Sequence, residues 1–485
     1  MRPQESNQDL DPEDWPSFRA QAHAMLDDMI DNMQSIREGP VWTPMSAADR
    51  LPFRAPLPRR AAPAAKVHQD FMEQVLPSGA GNLHPRFMGW VHGGGTAIGM
   101  LAEMLAGGLN ANLGGRDQAP IEVERQVVRW VAELTGLPQS ASGLFVTGAS
   151  IANFIAVLVA RSTALGVGSR RSGIGSGGAQ LTAYTSGGAH NCVARAMDMA
   201  GLGSDALRLA PTDAAGRIDV GAAAAMIRSD RLEGRRPFLL IGTAGTVDIG
   251  AIDDLSALAD LAEAEGLHFH VDGACGALGV MSPALAPKFA GLERADSIAL
   301  DFHKWGQAPY DAGFVIVRDA ERHLAAFSSP ADYLRRETRG LAAGSPWPCD
   351  FGPDLSRGFR ALKVWFTLRV HGADRMGEMM LRTCALAQRL ADRIDREDEL
   401  ERLAPVELNI VCFRYRGASS DALNSAIVIE LQESGVAAPS TTVIDGRLAI
   451  RAAIFNHRTR PEDVDLLADS VLSIGRRLSA SPDRT

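Results

Sequence analysis

The sequence predicts an α/β fold: a large domain built on a mainly parallel seven-stranded sheet, followed by a small C-terminal α+β domain. Three observations predict it. Across residues 81–370, short apolar runs alternate with helix-length stretches joined by Gly-rich turns, the pattern of strands connected by helical crossovers. Beyond 370 the order changes to helix, strand, helix, strand pair and helix. Hydrophobic residues make up 46% and aromatic residues only 6%, with 48 glycines among 485 residues, so the core is aliphatic and the turns are tight.

The elements follow in chain order. Residues 13–38 place Phe18, Ala22, Met25, Leu26, Met29, Ile30 and Met33 at three- and four-residue steps, an amphipathic helix. Residues 39–65 carry Pro40, Pro44, Pro52, Pro56, Pro58 and Pro63, which remove amide donors and leave an irregular arm. An arm of this composition cannot build a core of its own and must lie on something else or remain mobile. The seven strands are expected at Gly143–Thr147, Gln180–Thr185, Ala206–Leu209, Pro237–Gly242, His268–Val271, Ser297–Leu300 and Gly313–Val317. Helices are expected at Glu122–Leu134, Ile151–Arg161, Cys192–Met199, Val220–Arg231 and Leu255–Glu265. The Gly/Ser-rich stretch 166–179 reads as an exposed insert, because no strand–turn–helix context makes it a phosphate loop. Helices over Leu355–Arg369 and Met376–Asp392 lead into the small domain, 371–485, with a strand at 405–416, a helix at 421–434, a strand pair at 439–454 and a last helix at 461–479.

Charge and composition exclude several classes. The formal charge is −9, from 49 basic and 58 acidic residues, and no basic tail appears, so nucleic acid is not an expected partner. No uncharged apolar stretch reaches the roughly 18 residues of a membrane span, and the N-terminus is polar; the expectation is a cytoplasmic protein without a membrane partner. The five cysteines are scattered and odd in number, which fits a reducing compartment. No metal-ligand set is evident, and no GxSxG elbow marks a serine hydrolase.

Chemistry gathers at the ends of the expected strands, where open α/β sheets bind ligands. Lys304 follows the strand Ser297–Leu300 and lies between His303 and Trp305. Asp272 ends the strand His268–Val271 and is followed by small residues; it caps a turn or, if buried, needs a cationic or N–H partner. Thr147, Gly148, Ala149 and Ser150 form a strand-to-helix turn, either a simple N-cap or a nest for phosphate. His190 closes a Ser-Gly-Gly-Ala turn, and Thr246 sits in another hydroxyl-rich turn.

Taken in order, TGAS, AYTSGGAHNCVARA, GTAGTVDIGAIDDL, HVDGACG, ADSIALDFHKW, SRGFRALKVWFTLRVHG and LAIRAAIFNHRT resemble the group II pyridoxal-5′-phosphate-dependent decarboxylases, which include the aromatic-L-amino-acid and glutamate enzymes. The likeness spans roughly 15–480. It implies a fold type I, transferase-like architecture, pyridoxal 5′-phosphate as cofactor, and a homodimer in which residues 1–80 wrap the partner. It assigns Lys304 to covalent attachment of the cofactor, Asp272 to the pyridine nitrogen, His190 to one ring face and Ala274 to the other. Thr147, Gly148, Ala149, Ser150 and His303 fall to the phosphate region, Thr246 near the ring substituents, and Arg451 to the substrate carboxylate. Tyr333, in SSPADYL, matches the tyrosine that protonates the substrate carbon. Trp90 and His92 stand where the aromatic enzymes read the side chain, while Arg86 and Arg116 are candidates for reading a side-chain carboxylate. The expected activity is decarboxylation of an L-amino acid, with a lean towards aromatic substrates; an aldehyde synthase, another lyase or aminotransferase-like chemistry is the alternative.

Overall fold

The structure, a computed structural model, describes residues 9–328, 336–417 and 420–480. Among the described residues, twelve strands form two sheets. The first strand, β1 (Phe87–Met88), precedes the large sheet, which comprises β2 (Ser142–Val146), β3 (Leu181–Ser186), β4 (Leu207–Ala210), β5 (Arg236–Thr243), β6 (His268–Asp272), β7 (Ser297–Asp301) and β8 (Gly313–Val317). Its order is β2-β8-β7-β6-β5-β3-β4.

All seven expected strands are present, each within a residue or two of its expected bounds. The four pairings from β7 through β4 are parallel. Strand β8 instead runs antiparallel to β7 and β2. The segment Phe302–Ala312 between β7 and β8 holds no crossover helix, and a parallel return needs about a dozen residues or more. Strands β6, β7 and β8 are buried at every position; β8 carries no polar side chain, whereas β6 also buries His268, His270 and Asp272, and β7 buries Ser297 and Asp301. After β4 the chain returns to the other side of β3 to form β5. That reversal opens a crevice at the carboxyl ends of β3 and β5.

The small sheet has order β1-β11-β12-β10-β9, with β9 at Leu400–Arg402, β10 at Ile410–Tyr415, β11 at Ala438–Ile444 and β12 at Arg447–Ala453. Helices Ala373–Ile394, Ser420–Glu433 and Pro461–Ser479 cover it. Strands β11 and β12 meet at Asp445 and Gly446, both at positive φ (49° and 73°), the Asp-Gly turn whose twist suits a two-residue hairpin. Strands β1 and β9 are too short to show a period. β1 comes from the stretch ahead of the large sheet, yet it pairs in parallel with β11, Phe87 opposite Ala438.

One helix starts later than expected, at Arg360 rather than Leu355. The preceding residues stay extended to hold Arg357, whose guanidinium is buried against Glu124 Oε2 (3.0 Å) and the Phe145 carbonyl (2.8 Å). The N-terminal helix, Trp15–Ser35, is capped by Asp14, whose carboxylate accepts the Ser17 N–H, and none of its residues is buried within this chain. The 166–179 stretch forms two single-turn helices and is largely exposed. Among the described residues no helix is long and apolar enough to cross a membrane, and no cluster of three His, Cys, Asp or Glu is arranged to hold a metal.

Candidate active site

A cavity of about 330 Å³ opens at the carboxyl ends of β5, β6 and β7, lined by the residues that end those strands, Thr243, Asp272 and Asp301. Lys304 projects into it from the turn after β7, where its ammonium sits 2.8 Å from Asp301 Oδ2. Burial alone pulls the lysine down, but the nearby Asp301, Cys275 and Asp272 together outweigh it and hold the ammonium well above the ordinary lysine range. Asp301 also accepts the Ala149 N–H at 2.8 Å, so one carboxylate joins the lysine to the first turn of helix Ala149–Leu165. Sequence reasoning missed this residue, although it stands in the same DFHKW run; its strand-end position was the available signal.

Asp272 is nearly inaccessible, and burial raises its pKa, with Lys304 acting against that shift. Its Oδ1 accepts the Ala274 N–H (3.2 Å) and its Oδ2 accepts from Asn153 Nδ2 (3.0 Å). No cation lies within ion-pair distance of it among the described residues. His190 lines the mouth of the cavity with its Nδ1 accepting the Cys192 N–H at 3.2 Å, and Ala274 lines the floor. Thr147, Gly148, Ala149 and Ser150 line the cavity where the helix starts, with first-turn N–H groups that have no intrahelical acceptor. His303 is buried beside them; its Nδ1 accepts the Ala312 N–H at 3.0 Å, and burial pushes its pKa down to about 4, so the ring is neutral.

Part of the lining is aromatic. His92 stacks on Phe87 at 5.6 Å and meets Tyr310 edge-on at 5.4 Å, and Tyr310 lies 4.2 Å from the His303 ring. Trp90 completes this wall, 6.1 Å from Phe87. Burial, and then the Lys304 charge, push His92 below its ordinary pKa. Tyr310 carried no signal in the sequence; only the turn after Lys304 brings it here.

Five sequence candidates remain: Thr246, Arg451, Tyr333, Arg86 and Arg116. Thr246 does not line the cavity: its hydroxyl is buried and accepts the Ala251 N–H at 3.0 Å, closing the turn after β5. Arg451 does line it, but three of its donors are committed, Nε to Ser440 Oγ (3.0 Å), Nη1 to the Val247 carbonyl (2.5 Å) and Nη2 to the Gly89 carbonyl (3.0 Å). Two of its five N–H groups remain. Tyr333 lies outside the described residues. Neither Arg86 nor Arg116 lines the cavity; the Arg116 guanidinium sits 4.8 Å over the Trp347 ring.

The donor set fits pyridoxal 5′-phosphate. A primary amine is at hand for its aldehyde. A buried carboxylate that lacks a cation suits its ring N–H. A helix N-terminus suits its phosphate. The Thr243 hydroxyl, buried on the cavity wall, also has no partner of its own.

Comparison with known proteins bears on the same point. Residues 48–416 match the pyridoxal-dependent decarboxylase conserved domain. The chain is 30% identical over 475 residues to the aromatic-L-amino-acid decarboxylase of Bacillus atrophaeus, covering 96% of each chain. It is 32% identical over 424 residues to the L-2,4-diaminobutyrate decarboxylase of Rhizobium meliloti (strain 1021), covering 86% of this chain and 82% of the relative. The crystal structure of Oryza sativa TDC with PLP and tryptamine superposes with a TM-score of 0.88 at 23% identity, over 97% of this chain and all of that one, which establishes the shared fold. With a family match across three quarters of its length and a lysine, a buried aspartate and a helix N-terminus converging on one cavity, the chain belongs to the pyridoxal-dependent decarboxylase family and is a carboxy-lyase that works with pyridoxal phosphate.

Proposed function

We propose that the protein converts an aromatic L-amino acid to its amine, R–CH(NH3+)–COO− taking up one proton and releasing carbon dioxide. The observation that carries this reading is the aromatic cluster of Trp90, His92 and Tyr310 that lines the same cavity as Lys304. A flat apolar side chain is well matched to such a cluster. A second ammonium, as in 2,4-diaminobutyrate, would need a carboxylate, and the cavity's two are engaged, Asp301 with Lys304 and Asp272 deep on the strand end. A side-chain carboxylate would need a free arginine, and neither Arg86 nor Arg116 is there.

Bound pyridoxal phosphate supplies an electron sink for the pair left when the Cα–carboxylate bond breaks. The chain's residues then divide the work. Lys304 would hold the cofactor covalently through its amine. Asp272 keeps the ring nitrogen protonated. His190 and Ala274 hold the two ring faces and so orient the bond that breaks. Thr147–Ser150 and His303 hold the phosphate. The two remaining N–H groups of Arg451 meet the substrate carboxylate. Tyr333 delivers the proton to Cα.

The working form in this reading is a homodimer. Its support is the arm before residue 80, which leaves Trp15, Phe18, Ile30, Phe53, Leu57 and Val67 exposed on a single chain. Sedimentation at dilute concentration checks it; a fully active monomer overturns it.

The substrate test is a panel of L-tryptophan, L-tyrosine, L-phenylalanine, L-glutamate and L-2,4-diaminobutyrate, with carbon dioxide, amine, aldehyde and peroxide measured together. The aromatic acids are expected to give amine and carbon dioxide in equal amounts with the highest kcat/KM. A higher kcat/KM for glutamate or diaminobutyrate rejects the substrate assignment. Aldehyde and peroxide in place of amine make the protein an aldehyde synthase.

A further inference from the structure

Strand β6 has two unlike faces. Phe269 and Val271 point one way, while His268, His270 and Asp272 alternate onto the other. A row of two imidazoles behind a carboxylate, all buried, is an expensive thing to place in a sheet centre unless each polar atom is used. The row is joined into a single chain of contacts. Asp272 Oδ2 meets Asn153 Nδ2 at 3.0 Å, and Asn153 Oδ1 meets His270 Nε2 at 2.7 Å. His270 Nδ1 meets Ser297 Oγ at 2.9 Å, and Ser297 Oγ meets His268 Nε2 at 2.8 Å. Asn153 comes from helix Ala149–Leu165, and Ser297 stands opposite His270 in the β6–β7 pairing.

The direction of every proton follows from the acceptor at the end. An ionised carboxylate only accepts, so the Asn153 amide NH2 donates to Asp272. Its carbonyl oxygen therefore faces His270 and accepts from Nε2–H. Burial pushes the His270 pKa down to about 3, so this ring is neutral; with its one proton on Nε2, Nδ1 accepts from the Ser297 hydroxyl, and its 3.1 Å approach to the Ser297 carbonyl, itself only an acceptor, carries no hydrogen bond. That hydroxyl in turn accepts from His268 Nε2–H. The far nitrogen, His268 Nδ1, is buried with no partner, as a neutral ring that has spent its only N–H requires. All the hydrogens thus point towards Asp272, and each donor polarises the next.

We propose that Asn153, His270, Ser297 and His268 are positioning residues that together hold Asp272 ionised and aimed at the cofactor's ring nitrogen. The proposal rests on the reading of Asp272 given above. The other groups facing this row are Lys304 and His190 towards Asp272, and Asp296 and Arg322 towards His268. The Cys192 thiol lies 4.0 Å from Asp272 Oδ2 and also receives the Asn153 amide at 3.2 Å. Burial pushes that thiol up to about 12, so it stays neutral and adds no charge to the row.

The test uses holoenzyme loaded with pyridoxal phosphate labelled with nitrogen-15 in the ring, whose chemical shift reports ring protonation as pH is raised. His270→Leu and Asn153→Leu are expected to lower the pH at which the ring nitrogen loses its proton by about one to two units, the loss of one hydrogen bond to a charged group. Ser297→Ala is expected to move it by less, and His270→Gln, which keeps a donor towards Asn153, to restore most of it. A packing defect alone would lower stability without moving this midpoint. Loaded variants with the wild-type midpoint overturn the relay. If His270→Leu fails to load, Ser297→Ala decides, and an unmoved midpoint there also overturns it. Asp272→Asn separates the two levels: it is expected to abolish ring protonation, and a ring that stays protonated in that variant removes the role of Asp272 itself.

Discussion

The two sheets bury different things. The small sheet packs Met88, Val411, Phe413, Ile450 and Ile454 against Leu386, Ile427 and Leu467 of its helices, and the polar residues it buries, Arg414, Ser440 and Arg451, all have partners. The large sheet buries Asp272, Asp301, His268, His270, His303, Thr185, Ser186 and Thr243 near the carboxyl ends of its strands or just behind them. Thr185, Ser186 and Thr243 even leave their hydroxyls without partners. Apolar burial stabilises roughly in proportion to the area removed from water, whereas buried polar groups cost free energy unless paired. One sheet is therefore arranged for stability, and the other gives some of it up to hold a reactive group.

Variants in the two regions should separate accordingly. The largest effect is expected from Lys304→Ala, which leaves the sheets intact but should abolish turnover and the absorbance of the covalently held cofactor. A normal spectrum and rate would remove Lys304 from the site and much of the contrast with it. In the small sheet, Phe413→Ala creates a cavity in a fully buried position and should destabilise the protein by about 3–5 kcal/mol in denaturant titrations. Cofactor absorbance per folded molecule should be unchanged; a lost cofactor would show that the two regions are not separable.

Acid should attack the large domain first. His303 is pushed down to about 4, and His270 and His323 to about 3, in each case chiefly by burial, against an ordinary value of 6.5. A histidine depressed in the folded state takes up its proton more readily when unfolded, so its contribution is present above the ordinary value and lost as pH falls. Between pH 6.5 and about 4 each ring should remove up to about 1.4 kcal/mol of stability per pH unit. The small domain's own His457 is also pushed down to about 4 by burial, but it is one such ring against three. Hydrogen exchange followed down this range should show amides of β6 and β7 losing protection before those of β10 and β12. Simultaneous loss would mean that the two domains unfold as one unit.

The smallest expected effect belongs to the aromatic wall. Trp90 remains 55% exposed, so Trp90→Ala should cost little stability. It should raise KM for an aromatic substrate several-fold, about 1 kcal/mol of lost contact, with kcat less affected. An unchanged KM would take Trp90 out of the substrate's reach.

Much of this architecture was legible along the chain. Most strands of the large sheet stood out because burial on both faces favours apolar runs, and Gly-rich turns mark where such runs end; the edge strand β4 and the histidine-bearing β6 are the departures. Lys304, Asp272, His190 and the 147–150 turn were found for the same reason: they sit at those ends. The short strands β1 and β9 were not found, because two or three residues carry no period. Thr246 was misplaced, because a hydroxyl next to a strand end can turn to its own backbone as readily as to a ligand.

Local pattern, then, was enough for the order of elements, the switch from large to small domain and the chemistry at the strand ends, since each of these depends on residues adjacent in the chain. Partnership between distant residues was not. Asp301 joins Lys304 to the helix that follows β2; Asn153 and His270 meet behind Asp272; Trp90, His92 and Tyr310 gather into one wall from opposite sides of the large sheet's sequence. Such contacts depend on strand order and on the direction of β8. Neither has a signature in any single segment, because both are decided by which apolar faces find each other when the whole sheet closes.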